Sequence, residues 1–416
     1  MTGSLPPNLL LGLQNAGEVT VRQYSGAEQY QPDNVQCGIT GHVPAEWFTP
    51  AASAVGAVVR PGTSLHTFEI SNNQLSGSLP DILGWPKLQH LLLSNNKFSG
   101  GVTLYLGQYD STGTFVGPSS LIGTIPASFA NMRNLRFLDV SENSLTGQLP
   151  PEFGATLRSL DAAALQLSGE LPATLATFSR LEHLDLSGNK AVKGSLPSIW
   201  AALVALRTLD ISSTGISGSL PASWASLQKL RAFRAADCSA LSGQLPLEWG
   251  MLKSLEELVV TNSQLSGPSP AWTDAEMLRA ASTAALATAQ QAVLILASNS
   301  MSGPLPDAFT RLTTLRALDL SSNSFAGQLP SAWVSMQQLV FLDVSSNALV
   351  GPIPETLPFM AGDGFNLRCL VLFRNAGLSG TQLVALKSRM ETDSRGRVRV
   401  VVGSNGRTCD ISVLDQ

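Results

Sequence analysis

A short pattern of apolar and polar residues recurs many times between residues 65 and 380. In the copy at 135–150, LRFLDVSENSLTGQLP, Leu138 and Val140 lie on either side of Asp139. Successive side chains of a strand point to opposite faces, so this spacing predicts a short strand with two apolar side chains on one face and the aspartate on the other. One unit is too small to bury its own leucines. The pattern therefore predicts units that stack on one another.

The second half of the unit has the residues of a tight turn. Asn143 stands where the chain must turn, and its amide can bind backbone groups of the turn and of the neighbouring unit. Leu145 returns to the core, Gly147 allows a backbone conformation that a side chain would strain, and Pro150 begins the return segment without needing a donor. We expect a ladder of buried, hydrogen-bonded asparagines that includes Asn143, Asn323 and Asn347.

The turn glycine gives the register of the copies. Successive copies are most often 24 residues apart, as from Gly303 to Gly327. A period within about 20 to 29 residues is typical of a solenoid in which each unit contacts only its neighbours. The aligned glycines are Gly123, Gly147, Gly169, Gly194, Gly218, Gly243, Gly267, Gly303, Gly327 and Gly351.

The LxxLxLxxNxLxGxLP pattern of these copies resembles the plant-type leucine-rich repeat, the subclass found in receptor-kinase ectodomains and in cell-wall enzyme inhibitors. The resemblance covers nearly the whole chain. It implies an α/β solenoid, a leucine-rich repeat arc with a concave parallel β-sheet and short helical or 3₁₀ turns on the convex side. We expect about 14 parallel strands between Val19 and Val402. This fold is a general binding scaffold, so it does not specify a ligand.

A continuous repeat predicts one elongated domain for the 416 residues, because each unit needs its neighbours. The stretch 273–291 is alanine-rich and begins with capping-box spacing, which predicts a longer helix on the convex side. The expected organisation is a single leucine-rich repeat domain at 1–416, with irregular first repeats and insertions at 1–64, a main array at 65–380 with insertions near 101–120 and 273–291, and a polar closing cap at 381–416.

Two groups of aromatic residues invite a functional interpretation. A tryptophan row could bind carbohydrate, but its fixed register with core leucines favours packing on the convex side. The tyrosines lie at or in insertions, where they could contact a partner or belong to solvated loops. The tryptophans are Trp47, Trp200, Trp224, Trp249 and Trp333, and the tyrosines are Tyr24, Tyr30, Tyr105 and Tyr109.

Composition limits the class of partner and compartment. A net charge of −4 with 13% charged residues leaves no basic surface for nucleic acid. No apolar run has the length of a membrane helix, and no secretory signal is recognisable at the N-terminus. These features predict a cytoplasmic protein, with association with the cytoskeleton as one option. The sequence opens in the second half of a repeat, however, and a truncated start would leave a cell-surface or secreted protein as the alternative.

A search for catalytic chemistry finds little. The four cysteines, Cys37, Cys238, Cys369 and Cys409, include no CxxC pair, and the histidines lack the spacing of a metal pair. Cys238 is near the asparagine position of its repeat, which predicts a structural role. We expect no disulfide between Cys369 and Cys409, because they occupy different positions of their repeats. No triad or phosphate loop is recognisable, so we expect a non-enzymatic protein without cofactor or metal.

The residue between the two inward side chains of each strand should face the concave side. Along the stack this row is mostly acidic, and serines two residues later can hydrogen-bond the aspartates, which favours a structural role for them. Arg234, Val259 and Ile295, flanked by Asp210 and Asp319, interrupt the acidic row with a cation and two apolar side chains. Exposed apolar groups rimmed by charge are typical of a contact site. The row contains Glu69, Leu92, Asp139, Asp161, Asp185, Asp210, Arg234, Val259, Ile295, Asp319, Asp343 and Val371.

Two functions fit these observations. The first is a protein-interaction scaffold that recognises a protein or peptide ligand through its concave face, centred on Asp210, Arg234, Val259, Ile295 and Asp319. The second is a fragment of a receptor ectodomain or of a secreted enzyme inhibitor of the plant-type leucine-rich repeat class. Neither function involves nucleic acid or a membrane-spanning segment of this chain.

Overall fold

The computed structural model forms two compact units, Met1–Lys193 and Gly194–Gln416. The structure describes residues 18–20, 40–42, 66–78, 87–100, 124–125, 134–150, 156–270, 272, 292–378, 380–395 and 397–402.

In the first unit, six short parallel strands of the main sheet follow one another in chain order, each with its middle residue paired to the middle residue of the next. Their bounds are Glu18–Thr20, Thr67–Glu69, His90–Leu92, Phe137–Asp139, Ser159–Asp161 and His183–Asp185. Strands of the turn region lie at Thr40–His42, Gln74–Ser78, Lys97–Gly100, Thr146–Gly147, Gln166–Glu170 and Ala191–Ser195, and a 3₁₀ helix lies at Ala173–Thr177.

The second unit repeats the plan with eight main-sheet strands among the described residues: Thr208–Asp210, Ala232–Arg234, Glu257–Val259, Ala292–Ile295, Leu315–Asp319, Phe341–Asp343, Cys369–Val371 and Arg399–Val401. Turn-region strands lie at Gly215–Ser219, Ala240–Gly243, Gln264–Pro268, Ser300–Pro304, Ser324–Gly327, Ala348–Gly351 and Gly377–Leu378. The return segments contain 3₁₀ helices at Ser198–Ala202, Ala222–Ser226, Leu247–Met251, Asp307–Arg311, Ser331–Ser335 and Leu357–Ala361, and an α-helix spans Gly380–Asp393. The predicted α/β solenoid of stacked repeats is confirmed.

The alternation read from the sequence places the core between strands and return segments. Leu258, in the middle of its strand, is fully buried, and so is Val260, whereas Val259 between them is only half-buried on the opposite sheet surface. We call that opposite surface the strand face, which is the side predicted to be concave. Each three-residue strand thus contributes its middle residue to the core and its first and third residues to the strand face. In the longer strands Ala292–Ile295 and Leu315–Asp319, the corresponding core residues are Leu294 and Leu318.

The asparagine ladder forms as predicted. Asn143 donates to the carbonyl oxygens of Leu93 at 3.1 Å, Val140 at 3.0 Å and Ser141 at 2.9 Å, and its Oδ1 accepts from the Phe98 N–H at 3.0 Å. Two of these four bonds cross to the preceding repeat. Asn143 is buried, while Asn323 and Asn347 make equivalent bonds but are only half-buried, contrary to expectation.

Some repeats lack the ladder asparagine. Thr214, Cys238 and Ser263 occupy this position in three successive repeats of the second unit. The thiol of Cys238 donates to the Ile211 carbonyl at 3.1 Å, which confirms the structural role predicted for this cysteine. The turn glycine is also needed: Gly147 has a φ of +82°, and a Cβ there would lie 2.6 Å from Thr124 Cγ2.

The tryptophans of the return segments pack inside the second unit. Trp200, Trp224 and Trp249 are fully buried, and their rings stack at centroid distances of 6.2 and 6.3 Å. The Trp224 and Trp249 indoles each donate to a proline carbonyl of the preceding repeat, at 3.1 and 3.0 Å. Core packing, rather than carbohydrate binding, therefore accounts for these three residues and for the equally buried Trp333.

Within the range predicted as a closing cap, the structure has an α-helix at Gly380–Asp393 and a final strand at Arg399–Val401. Several other predictions fall on residues that the structure does not describe. They concern the first insertion, the insertion near 101–120, the helix at 273–291, the four tyrosines, Trp47, Cys37 and Cys409. The single-domain organisation of residues 1–416 stays a prediction.

Candidate functional site

The strand register brings the five predicted site residues into one row. Asp210 pairs with Arg234, Arg234 with Val259, Val259 with Ile295, and Ile295 with Asp319, on five neighbouring strands of the second unit. Neighbouring strands are about 4.8 Å apart, so the row is about 19 Å long. We call residues 210, 234, 259, 295 and 319 the site row.

The two apolar side chains of the site row are less exposed than predicted. Val259 and Ile295 are half-buried rather than exposed. Both have a same-face neighbour two residues earlier, Glu257 and Val293, and side chains at strand spacing cover part of one another. A ligand would therefore meet a shallow apolar surface rather than protruding side chains.

The cation of the site row has an acidic partner that sequence reasoning missed. Arg234 Nε donates to Glu257 Oε1 at 2.6 Å, Arg234 Nη2 donates to Glu257 Oε2, and Arg234 Nη1 lies 4.0 Å from Asp210 Oδ2. Paired donors of this kind fix a guanidinium geometrically. The sequence contained a signal for this partner, because Glu257 is the first residue of the strand next to Arg234 and lies two residues before Val259, on the same face.

The aspartates of the row have a structural role, as the serines near them predicted. Asp210 Oδ1 accepts the N–H of Ser212 at 2.9 Å, and Asp319 Oδ1 accepts the N–H of Ser321 at 2.9 Å. These bonds close the turn that follows each strand. Arg234 cannot make this bond, and the Ala236 N–H donates instead to the Ser212 hydroxyl at 3.1 Å.

Burial raises the pKa values of the carboxyls at one end of the site row. Desolvation raises the pKa of Asp319 above its usual range. Asp343, on the next strand, has its pKa raised to about 6, chiefly by desolvation and further by the negative charge of Asp319. In the first unit, desolvation likewise raises the pKa of Asp161 to about 6, with added repulsion from Asp139 and Asp185.

The strand face is buried at Val371, on the strand after Asp343, where the row of concave-facing residues was predicted to continue. Phe341, Cys369, Val371 and Val401 form an apolar cluster with Ala317, and each is at most 4% exposed. Cys369 is disulfide-bonded, whereas Cys409, for which we predicted no bond to Cys369, lies outside the described residues. The accessible part of the row in the second unit therefore runs from Asp210 to Asp343.

The described residues include no group of three or more His, Cys, Asp or Glu side chains that could hold a metal ion. Likewise, no helix in the described ranges is long and apolar enough to cross a membrane.

Comparison with known proteins identifies the repeats. Family models of the leucine-rich repeat match residues 292–349, 64–85, 87–108, 134–155 and 205–227. Receptor-like protein 18 of Arabidopsis thaliana is 32% identical over 139 residues, which cover 32% of this chain and 16% of that protein. The chain thus spans only a small part of the length of this curated relative.

Solved structures share the fold. The ectodomain of the plant membrane receptor kinase GASSHO1/SCHENGEN3 from Arabidopsis thaliana superposes with a TM-score of 0.69 at 22% identity, covering 97% of this chain and 40% of that one. The Arabidopsis receptor kinase HAESA, in complex with the peptide hormone IDA and the co-receptor SERK1, gives a TM-score of 0.61 at 26% identity, covering 90% of this chain and 56% of that one.

These relatives correct the expected compartment. The prediction of a cytoplasmic protein is wrong, because the similar proteins are receptor-like proteins and the ectodomain of a membrane receptor kinase, which points to the cell surface or to secretion. The disulfide at Cys369 agrees, since disulfides persist in oxidising compartments. The absence of a recognisable secretory signal does not indicate the compartment, because this chain matches only part of the length of its relatives. This chain is a leucine-rich repeat protein with repeats of the plant type.

Proposed function

We propose that this chain is the ligand-recognition part of an extracellular receptor-like protein, and that it binds a protein or peptide along the site row without catalysing a reaction. A protein-binding role fits the family, and HAESA supports a peptide ligand in particular, because that receptor is 26% identical and was solved with a peptide hormone bound.

One observation carries the location of the site. Between residues 210 and 343 the other members of the row are the turn-closing Asp210, Asp319 and Asp343. Three successive strands of this stretch instead present an ion-paired arginine and two half-buried apolar side chains, Val259 and Ile295. Turn closure does not require these residues. An apolar centre bordered by Asp210 and Asp319 has the anatomy of a contact site, in which a desolvated centre is surrounded by polar groups.

The test is to select peptides from a random twelve-residue phage library on the wild-type protein, and to measure the affinity of the selected peptides for variants. Arg234→Glu and Ile295→Asp should each weaken binding about tenfold or more, roughly 1.4 kcal/mol. Arg234→Glu places a negative charge beside Glu257 and Asp210, and Ile295→Asp removes the apolar centre.

Matched controls lie on the return segments of the same unit. Lys229→Glu repeats the charge reversal at an exposed lysine, and Ile199→Asp repeats the apolar-to-acid change at a side chain that is 57% exposed. Both should leave affinity unchanged within about twofold. Peptides that lose affinity through Ile199→Asp but not through Ile295→Asp would place the ligand on the return segments and refute the proposed site.

A further inference from the structure

The charges of the strand face between residues 208 and 343 are unbalanced. In the register-paired segments 208–210, 232–234, 257–259, 293–295, 317–319 and 341–343, the acidic side chains are Asp210, Glu257, Asp319 and Asp343, and the basic side chain is Arg234. Arg316 lies at the register shift between Leu315 and Ala317, outside these paired segments. Arg234 lies against Glu257 and within 4.0 Å of Asp210. Its positive charge therefore balances acids at one end of the stretch and leaves the other end acidic.

Asp319 and Asp343 form that acidic end. They are register partners on neighbouring strands, and each accepts a backbone N–H from a serine, Ser321 at 2.9 Å and Ser345 at 2.8 Å. These are neutral donors, and among the described residues neither carboxylate has a basic partner. Both carboxyls are partly removed from water, and the pKa of Asp343 is raised accordingly. Two neighbouring, partly desolvated carboxylates attract a cation more strongly than solvated ones do.

Apolar side chains lie directly beside this acidic pair. Ile295 is the register partner of Asp319, and Val259 is the register partner of Ile295. From the middle of the Val259–Ile295 pair to the middle of the Asp319–Asp343 pair is two strand spacings, or about 10 Å. An extended peptide rises about 3.3 Å per residue, so about three residues span this distance. On the strand after Asp343, the buried Val371, which clusters with Phe341, ends the accessible surface.

We infer that the ligand of the site row carries an arginine or lysine that binds between Asp319 and Asp343, about three residues from an apolar side chain that packs on Val259 and Ile295. This inference rests on the proposed function and specifies its ligand as a basic, apolar segment in an extended conformation. The ligand cation offsets the negative charge of Asp319 and Asp343, as Arg234 offsets that of Asp210 and Glu257 within the chain.

The peptides selected on the wild-type protein test this chemistry. Those whose binding depends on Ile295 should be enriched in arginine or lysine three residues from a leucine, isoleucine, valine or phenylalanine. A double-mutant cycle then pairs a peptide Arg→Gln change with the protein variant Asp319→Asn/Asp343→Asn. Asparagine keeps an oxygen acceptor for the serine N–H groups, so the turns remain closed, and far-ultraviolet circular dichroism checks the fold.

The expected result is a loss of about tenfold on changing the peptide arginine with the wild-type protein, and of less than about twofold with the double variant. Ile295-dependent peptides without basic enrichment, or equal losses in both backgrounds, would overturn the basic-ligand inference while leaving the site in place. Peptides that bind independently of Ile295 and Arg234 would instead refute the proposed site itself, and with it this inference.

Discussion

Asp343 is the residue at which a change of pH should reveal the electrostatics of the strand face. Its carboxyl is half-buried, accepts the Ser345 N–H at 2.8 Å, and has Asp319 as its register partner. Asp343→Asn keeps the size of the side chain and one oxygen acceptor but removes the negative charge. The substitution therefore isolates the energetic effect of ionising this carboxyl in the folded chain.

The magnitude follows from the pKa of Asp343, which desolvation raises from 3.8 to about 6. A shift of about 2 units corresponds to about 3 kcal/mol, at about 1.36 kcal/mol per unit. Because the folded-state pKa is raised, the stability contributed by protonated Asp343 is fully present below about pH 4 and is lost as the pH rises through about 6. The variant should match the wild type near pH 4 and exceed its free energy of unfolding by up to about 3 kcal/mol near pH 7.

Urea unfolding at several pH values between about 4 and 7 measures this difference. Asp307→Asn, at an exposed position of the same unit, is the control for losing one negative charge. A wild-type-to-variant difference that stays constant across this range would refute desolvation of Asp343. An equal trend in the control variant would assign the effect to net charge instead.

Three further predictions concern the asparagine ladder, the tryptophan stack and the site row. Asn143→Ala leaves the buried Phe98 N–H without its acceptor and should lower the free energy of unfolding by about 1 to 3 kcal/mol, whereas Asn366→Ala, which removes an exposed bond to Gln338, should cost less than about 0.5 kcal/mol. Trp224→Ala opens a cavity between two stacked rings and should cost about 3 to 5 kcal/mol in urea unfolding; a loss below about 1 kcal/mol would contradict the packing. Arg234→Glu and Ile295→Asp should each weaken the binding of selected peptides about tenfold, which affinity measurements on the variants would detect.

The periodic part of the structure was predictable because the same pattern of apolar and polar residues recurs in each repeat. The strand at Phe137–Asp139, the ladder bonds of Asn143 and the burial of Trp224 follow from positions that recur at a fixed spacing. The same register placed Asp210 beside Arg234, so the site row was predictable as an arrangement of residues. Its binding role stays a prediction.

The features that sequence reasoning missed are not periodic. The pairing of Arg234 with Glu257 depends on side-chain conformations at one step of the stack, although the register makes it possible. The burial of Val371 and the disulfide of Cys369 occur on a face that the repeat pattern treats as open. The prediction of a cytoplasmic compartment was wrong for a different reason: it relied on a missing secretory signal, which does not identify the class of protein.

Three repeats of the second unit, those of Thr214, Cys238 and Ser263, lack a ladder asparagine and also contain stacked tryptophans. Where Thr214 and Ser263 replace asparagine, their hydroxyls donate to carbonyls of their own repeats, at Ile211 and Thr261. Between them, the Cys238 thiol supplies a bond to the preceding repeat, to the Ile211 carbonyl. At the return segments, the stacked indoles of Trp224 and Trp249 hold neighbouring repeats together, because each donates to a carbonyl of the preceding repeat.

The turn edge of these repeats therefore has fewer ladder bonds between repeats than the asparagine repeats have, while the tryptophans of the other edge are fully buried. We expect these repeats to open and close at the turn edge, so that the spacing between Arg234 and Val259 adjusts to a ligand while the tryptophan edge holds. Faster amide hydrogen exchange at Ile216 and Leu241 than at Leu349 would report this hinge, and equal exchange would exclude it.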